Sequence, residues 1–134
     1  LNAYIDEQLA YLGLSDKDLA LIGFSQGTMM ALHVGLRRPK ACAGILGYSG
    51  MLVDPESLAD EITVKPPVLL CHGQVDDVLP FDFMPAALAT LRQAGVPCEG
   101  LARPGLAHGL DDDGIKAGMF FLSDVFGINL STLR

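Results

Sequence analysis

The chain has 134 residues, a length that suits one domain with its own hydrophobic core. Half of the residues are hydrophobic and the mean hydropathy is +0.36, yet no stretch approaches the roughly 18 uninterrupted apolar residues that a membrane span requires. The net charge of −7 disfavours nucleic acids and anionic membrane surfaces as partners.

The three cysteines (Cys42, Cys71 and Cys98) are an odd number, and two of them lie inside apolar runs. Buried free thiols in a reducing compartment explain them better than a disulfide framework. The first residues contain neither the basic nor the apolar segment of a signal peptide, so we expect a cytoplasmic protein. The chain also lacks a starting methionine, which indicates a fragment or a processed product. No C-x-x-C or H-x-x-x-H spacing is present, so the sequence predicts neither a metal site nor a cofactor.

Helix and strand patterns alternate along the chain. In chain order they predict a helix over 2–13, a buried strand over 19–24, a helix over 26–37, a strand over 41–48, a loop with one helical turn over 54–58, a strand over 68–71, a helix over 82–94, a strand over 96–103 and a helix over 113–126. This alternation favours a single α/β domain over residues 1–134. We expect a mainly parallel sheet of about four strands with helices on both faces.

The segment Gly23-Phe24-Ser25-Gln26-Gly27 lies directly between a strand pattern and a helix pattern. A serine at such a sharp turn is held in a strained backbone conformation, and its hydroxyl projects from the end of the sheet. We expect the two flanking glycines to be needed because a side chain at either place would collide with the neighbouring strand or helix. A turn serine without chemistry is the alternative, but such a turn does not need glycine on both sides.

Polar side chains also follow the third and fourth predicted strands. Asp76 and Asp77 come after the third strand, and His108 comes after the fourth. In parallel sheets the chemistry collects at the carboxyl ends of the strands. A nucleophile, an acid and a histidine in this chain order are expected of an α/β-hydrolase triad. The residues alone leave open which of the two adjacent aspartates is the acid.

Other titratable residues are better explained by structural roles. His33 lies in the middle of a predicted helix, and we interpret it as structural. His72 opens the loop after the third strand, and we expect it to orient that loop through hydrogen bonds. Asp111, Asp112 and Asp113 stand at a helix start, where acids interact favourably with the helix dipole.

The chain resembles the carboxylesterase, phospholipase and acyl-protein thioesterase branch of the α/β-hydrolase superfamily over nearly its whole length. The matching residues are Gly23-Phe24-Ser25-Gln26-Gly27, His72-Gly73 with Asp76 and Val78-Leu79-Pro80, and Pro104-Gly105 with His108. Dienelactone hydrolases share the topology but usually carry cysteine at the position of Ser25, so the chain resembles them less. The resemblance implies the C-terminal part of an α/β-hydrolase fold.

The resemblance also implies a role for each motif residue. Ser25 would be the nucleophile, His108 the general base and Asp76, rather than Asp77, the orienting acid. The backbone N–H of Gln26 would be one donor of the oxyanion hole. The second donor comes in that family from an early His-Gly loop, and no such loop precedes the first strand here. Met51, Leu52 and Leu79 are weaker candidates for lining a substrate pocket.

Two functions follow from these observations. The first is a serine hydrolase that cleaves esters or thioesters of apolar acyl groups. The second is a catalytically poor α/β-hydrolase fragment whose main property is association with another chain. The apolar strand 19–24 would be an unpaired sheet edge, so we expect a homodimer or a completing chain as partner, together with a small ester substrate.

Overall fold

A computed structural model describes residues 1–129 of the chain. Its centre is a four-stranded sheet in the order β1-β2-β3-β4, and all three neighbouring pairs are parallel. The strands are β1 Ala20–Phe24, β2 Gly44–Tyr48, β3 Val68–Gly73 and β4 Cys98–Arg103. The predicted parallel sheet is therefore confirmed, although β2 begins three residues later than expected and β3 continues two residues further.

Five α-helices accompany the sheet in the described part of the chain. They are α1 Asn2–Leu12, α2 Gln26–Gly35, α3 Leu58–Glu61, α4 Phe83–Gln93 and α5 Asp112–Phe126, with 3-10 turns at Asp16–Asp18 and Pro55–Ser57. Gly13 and Gly127 end α1 and α5 in the left-handed conformation that glycine adopts without strain. The four predicted helices are present, with ends that differ by up to two residues, and the helical turn predicted within 54–58 continues into the short helix α3.

Helices cover both faces of the sheet. Successive side chains of a strand point to opposite faces, so each strand contributes apolar residues to both layers of helices. Ile45 of β2 belongs to the core cluster that includes buried residues of α2 and α4, whereas the next residue, Leu46, belongs to a second cluster that packs against α5. Leu69 and Leu70 of β3 divide in the same way. The expected arrangement of helices on both faces is confirmed.

The prediction that β1 is buried is wrong, whereas the expectation that it forms a sheet edge is confirmed for the described residues. Within residues 1–129, β1 is an edge strand that pairs only with β2. Ile22 is 59% exposed and Phe24 is 42% exposed, because no described element covers their side of the strand. Leu21 points the other way and packs against the main core. The edge strand therefore exposes two large apolar side chains, Ile22 and Phe24, to solvent.

A buried arginine fixes α1 to the rest of the domain. Arg38 donates to Asp6 and Asp16 at 2.8 Å each and to Asn2 at 3.1 Å. Its guanidinium is almost fully buried, so these acceptors replace the water that it loses. This contact could not be predicted from the sequence, because its members are far apart in the chain and follow no motif.

The cysteines are free thiols, as predicted: Cys42 and Cys71 are buried, and Cys98 is half-buried. Burial raises the pKa of the Cys71 thiol to about 11, so it stays protonated at neutral pH. Within residues 1–129, every helix is too short or too polar to cross a membrane. The same residues contain no group of three or more metal-ligating side chains that could hold an ion.

Candidate active site

Ser25 occupies the sharp turn between β1 and α2. Its backbone has φ 57° and ψ −115°, which is a strained conformation for any residue except glycine. The turn is held to the sheet because the N–H of Ser25 donates to the carbonyl of Tyr48 at 2.8 Å. Ser25 thus stands at the carboxyl end of β1 in the strained conformation that the sequence predicts.

The two glycines that flank the turn have different roles. A Cβ at Gly23 would overlap the backbone of Gly27 and Thr28, so β1 and α2 can approach each other only because Gly23 has no side chain. A Cβ at Gly27 would meet no atom within 4 Å. The expectation of a collision at both glycines is therefore wrong for Gly27, which faces open space in the described residues.

The side chains of Ser25, His108 and Asp76 form one hydrogen-bonded series. Nδ1 of His108 lies 2.8 Å from Oδ2 of Asp76, and Nε2 of His108 lies 3.1 Å from Oγ of Ser25. A carboxylate can only accept, so Nδ1 carries the proton and Nε2 is free to accept the serine hydroxyl. The Phe24 ring lies against the imidazole, with ring centroids 5.0 Å apart.

The structure separates the two adjacent aspartates. The Asp76 side chain is 0% exposed, and its Oδ1 accepts the backbone N–H groups of Val78 at 2.9 Å and Leu79 at 2.8 Å. Burial opposes the charge on Asp76, but the bond from His108 and the two N–H groups outweigh it and hold the pKa of Asp76 below its ordinary value. Asp77 is exposed to solvent. Only Asp76 is therefore placed to orient the imidazole.

His72 is buried beside this acid. Its Nε2 lies 2.8 Å from the carbonyl of Leu79 and 3.3 Å from Oδ2 of Asp76. Because a carbonyl oxygen accepts only, Nε2 carries a proton and donates it to the carbonyl of Leu79. These contacts agree with a role for His72 in holding the loop that carries Asp76. His33 lies within α2, and its buried Nδ1 has no hydrogen-bond partner in the described residues.

The acidic residues at the start of α5 anchor the end of the His108 loop. Asp111 caps the helix by accepting the N–H of Gly114 at 2.8 Å, and its other oxygen accepts from Arg103 at 2.8 Å. Arg103 also binds Asp113 at 2.9 Å. The Gly114 N–H, and then Arg103, lower the pKa of Asp111. Asp111 has the capping role that the sequence predicts for this region, and its contacts lie outside the hydrogen-bonded series.

The three weaker pocket candidates are placed differently. Leu52 is buried in the main core, where its side chain packs with other apolar residues. Met51 and Leu79 are half-buried, and Met51 lines a small void with Thr28 and His72. A larger groove of about 670 Å³ lies between α5 and the first residues of β3 and β4, at the opposite end of the strands from Ser25. Substrate binding by Met51, Leu52 and Leu79 stays a prediction.

A parallel α/β sheet of this order, with Ser25 and His108 following its strands, has the fold of the α/β hydrolases. The chain belongs to the phospholipase/carboxylesterase family, whose sequence profile matches residues 1–125. The family that the motifs predicted is therefore confirmed.

Three similar proteins illustrate the match. A probable carboxylesterase SOBER1-like protein of Arabidopsis thaliana is 34% identical over 119 residues, which are 87% of this chain and 45% of that protein. Acyl-protein thioesterase 1 of Schizosaccharomyces pombe is 34% identical over 133 residues, covering 95% of this chain and 58% of that protein. The crystal structure of esterase PE8 superposes with a TM-score of 0.90 at 41% identity, over 92% of this chain and 57% of that one. The chain spans about half the length of the curated relatives that it matches.

Proposed function

We propose that the protein is a serine hydrolase that cleaves carboxylic esters or thioesters of apolar acyl groups. The observation that carries this proposal is the hydrogen-bonded series from Ser25 through His108 to Asp76. Membership of the phospholipase/carboxylesterase family, with relatives named as carboxylesterases and acyl-protein thioesterases, supports the substrate class. Ser25 is the nucleophile, His108 the general base and Asp76 the orienting acid.

The reaction begins with acylation of Ser25. The hydroxyl oxygen attacks the substrate carbonyl carbon while its proton moves to Nε2 of His108, and the carbonyl becomes a tetrahedral oxyanion. The imidazolium then gives this proton to the leaving alkoxide or thiolate as the carbon–oxygen or carbon–sulfur bond breaks. The products are a free alcohol or thiol and an ester of Ser25.

Hydrolysis of that ester repeats the same proton movements with water. His108 takes a proton from water as the water oxygen attacks the acyl carbon, and it returns the proton to Ser25 when the carboxylic acid leaves. Asp76 stays ionised throughout and stabilises each imidazolium intermediate. The lowered pKa of Asp76 supports this role, because it shows that the hydrogen bonds to the carboxylate outweigh the burial that would otherwise favour the neutral acid.

The backbone N–H of Gln26 is the first proposed donor to the oxyanion. Gln26 is the first residue of α2, where N–H groups lack intrahelical acceptors and the helix dipole is positive. The family resemblance places a second donor in an early His-Gly loop, and no His-Gly pair precedes β1 in the described residues. One such donor changes turnover by about 100- to 1000-fold, so the rate of this chain alone depends strongly on it.

Neutral apolar acyl esters are the substrates that we propose. The chain has a net charge of −7, and residues 1–129 contain no candidate metal cluster to bind a phosphate. Met51, Leu52 and Leu79 are proposed to border the acyl site. A comparison of p-nitrophenyl butyrate with p-nitrophenyl phosphate tests this choice. Faster release of p-nitrophenol from the phosphate would contradict it.

The first test of the proposed hydrolase function compares hydrolysis of a short-chain p-nitrophenyl ester by wild type and by the Ser25→Ala variant. We expect wild type to hydrolyse it and Ser25→Ala to give only the background rate. Ser15→Ala is a matched control, since Ser15 is an exposed serine outside the site. Equal rates for all three proteins would exclude the proposed function.

A second candidate function is association with little catalysis, and the exposed edge strand β1 supports it. In this alternative the proposed partner, a second copy or a completing chain, pairs with β1 whether or not esters are cleaved. An oligomer with only background hydrolysis would favour association. An oligomer whose hydrolysis depends on Ser25 would favour the enzyme.

We also propose that the protein works in the cytoplasm. The support is that all three cysteines are free, as expected in a reducing compartment. Cell fractionation followed by detection of the protein tests this placement, and recovery from a secreted or periplasmic fraction would contradict it.

A further inference from the structure

His108 has to reach across the sheet to meet Ser25. Ser25 follows β1 and His108 follows β4, with β2 and β3 between them. Neighbouring strands lie about 4.8 Å apart, so the ends of β1 and β4 are separated by roughly 14 Å. Nε2 of His108 nevertheless lies 3.1 Å from Oγ of Ser25. The loop after β4 therefore leans back over the ends of β3 and β2, and something must hold it there.

The end of β3 supports the first half of this loop. The N–H of Val75 donates to the carbonyl of Leu106 at 3.1 Å. A Cβ at Gly73 would overlap the carbonyl oxygens of Leu106 and Ala107, so the loop can cross β3 closely only over a glycine. These contacts end at Ala107, one residue before His108.

The end of β2 supports the loop on the other side of His108. Ser49 directly follows β2, and its Oγ donates to the carbonyl of Gly109 at 3.3 Å. Its own N–H donates to the carbonyl of Cys71 at 2.9 Å, which fixes Ser49 to the sheet. Ser49 is only 1% exposed, so water does not compete for the bond to Gly109.

Ser49 makes this contact from a strained backbone. Its φ is 51°, in the left-handed region that only glycine adopts without cost. Strained residues of this kind concentrate at functional sites. The side chain of Ser49 supplies the hydroxyl that reaches Gly109.

The same turn also contacts the nucleophile. The carbonyl of Tyr48 accepts from the N–H of Ser25 and from the hydroxyl of Thr28, both at 2.8 Å. A Cβ at Gly50 would lie 2.5 Å from Cβ of Thr28 and 3.1 Å from the carbonyl oxygen of Ser25. Residues 48–50 therefore touch the turn of Ser25 on one side and the loop of His108 on the other.

We propose that Ser49 is a positioning residue that holds the His108 loop against the end of β2, so that Nε2 of His108 faces Ser25. This inference deepens the proposed hydrolase function and rests on it. Ser49 touches none of the reacting atoms, and its effect passes through Gly109 to His108. Because a displacement of about 1 Å can cost on the order of 100-fold in rate, we expect loss of the bond to lower kcat by roughly 10- to 100-fold. KM should change little.

Two substitutions at Ser49 separate positioning from stability. Ser49→Ala loses the hydroxyl and keeps the strained φ, whereas Ser49→Gly loses the hydroxyl and relieves the strain. We expect kcat to fall to a similar extent in both, while Ser49→Gly melts a few degrees above Ser49→Ala. Asp54→Gly is the matched control, because it relieves the same strain (φ 49°) at an exposed position and should leave kcat unchanged.

A second measurement reports on His108 itself. The proton on Nδ1 of His108, bonded to the buried Asp76, should give a low-field NMR signal in wild type and in Asp54→Gly. In both Ser49 variants we expect this signal to shift and to exchange faster with water. An unchanged signal in variants that retain wild-type kcat would overturn the inference.

Failure of the role of Ser49 can be distinguished from failure of the proposed hydrolase function. If Ser25→Ala hydrolyses the ester as wild type does, the proposed function itself fails. If Ser25→Ala is inactive but Ser49→Gly keeps wild-type kcat, only the role of Ser49 fails. If kcat instead rises with melting temperature, so that Ser49→Gly is more active than Ser49→Ala, Ser49 contributes to stability only and the positioning role is wrong. Should Ser49→Ala not fold, the comparison of Ser49→Gly with wild type decides.

Discussion

Oδ2 of Asp76 accepts the Nδ1 proton of His108 at 2.8 Å, while the other oxygen of the same carboxylate accepts two backbone N–H groups. Both oxygens are therefore fixed, and the side chain is excluded from solvent. Such a carboxylate can hold the imidazole in one tautomer and one orientation. Asp77, the next residue, is exposed and is not placed to share this task.

This difference predicts unequal effects of neutralising the two aspartates. Asp76→Asn should lower kcat by about 10⁴-fold, because an amide can donate to Nδ1 and favour the wrong tautomer of His108. Asp77→Asn, the matched control, should remain close to wild type. Steady-state kinetics on a p-nitrophenyl ester measures both. Equal losses in the two variants would contradict the assignment of Asp76.

Ser25 and His108 should act as one unit. Ser25→Ala and His108→Ala are each expected to lose on the order of 10⁴- to 10⁶-fold in kcat, since neither group is useful without the other. The double variant should be no slower than either single one. Circular dichroism and melting temperature should stay near wild type. If the double variant lost the product of the two single effects, the residues would be acting independently.

The charge on Asp76 should also make stability depend on pH. Its pKa is lowered in the fold, so the stabilisation is present above the unfolded value of about 3.9 and is lost as pH falls through the lower folded value. We expect the urea midpoint of wild type to exceed that of Asp76→Asn at about pH 5 and the difference to shrink below about pH 4. Asp111 also has a lowered pKa, but it titrates in both proteins and cancels in the difference. A difference that grows on acidification would contradict this prediction.

Much of the site could be predicted from the sequence, because it follows a rule of parallel sheets. Ser25, Asp76 and His108 each lie in the segment that follows a strand, and the strands of a parallel sheet end at one edge. The choice of Asp76 over Asp77 needed either the family resemblance or the structure. Two adjacent side chains with the same chemistry cannot be separated by strand order alone.

Other contacts could not be predicted, because they join residues that no local pattern connects. Arg38 finds its acceptors 22 to 36 residues away in the chain. Ser49 binds the carbonyl of Gly109, a contact that depends on how far the His108 loop leans over the sheet. The edge position of β1 was predicted from the family resemblance, but its apolar composition alone predicted buried side chains, and composition does not show whether a strand has neighbours on both sides.

The two glycines of the serine turn give a matched pair for a stability test. Gly23→Ala would place a Cβ into the backbone of Gly27 and Thr28, and overpacking of this kind costs about 3 kcal/mol or more when backbone cannot move aside. Gly27→Ala meets open space at a helical position, where alanine is favoured over glycine by about 1 kcal/mol. Urea denaturation should show a large loss for the first and no loss for the second. Equal destabilisation would contradict the separate roles of these glycines.

The exposed edge of β1 predicts that the chain does not act as a monomer. Ile22 and Phe24 present apolar side chains at an edge that carries no charge or proline, so the devices that usually block edge pairing are missing. Two copies could pair their β1 strands antiparallel about a two-fold axis. Light scattering should then give twice the 14.2 kDa of one chain, and the dimer should survive high salt because the contact is apolar.

Ile22→Lys is the variant that tests this edge. A lysine at Leu21 would disturb the core, since Leu21 packs inward, whereas Ile22 is 59% exposed and can be replaced without loss of core contacts. We expect Ile22→Lys to dissociate the dimer while the circular dichroism spectrum is retained. Tyr11→Lys is the matched control, because Tyr11 is exposed on α1 and lies outside β1. We expect the Tyr11→Lys variant to remain a dimer. A wild-type chain that is monodisperse at 14.2 kDa and active as such would refute the edge contact.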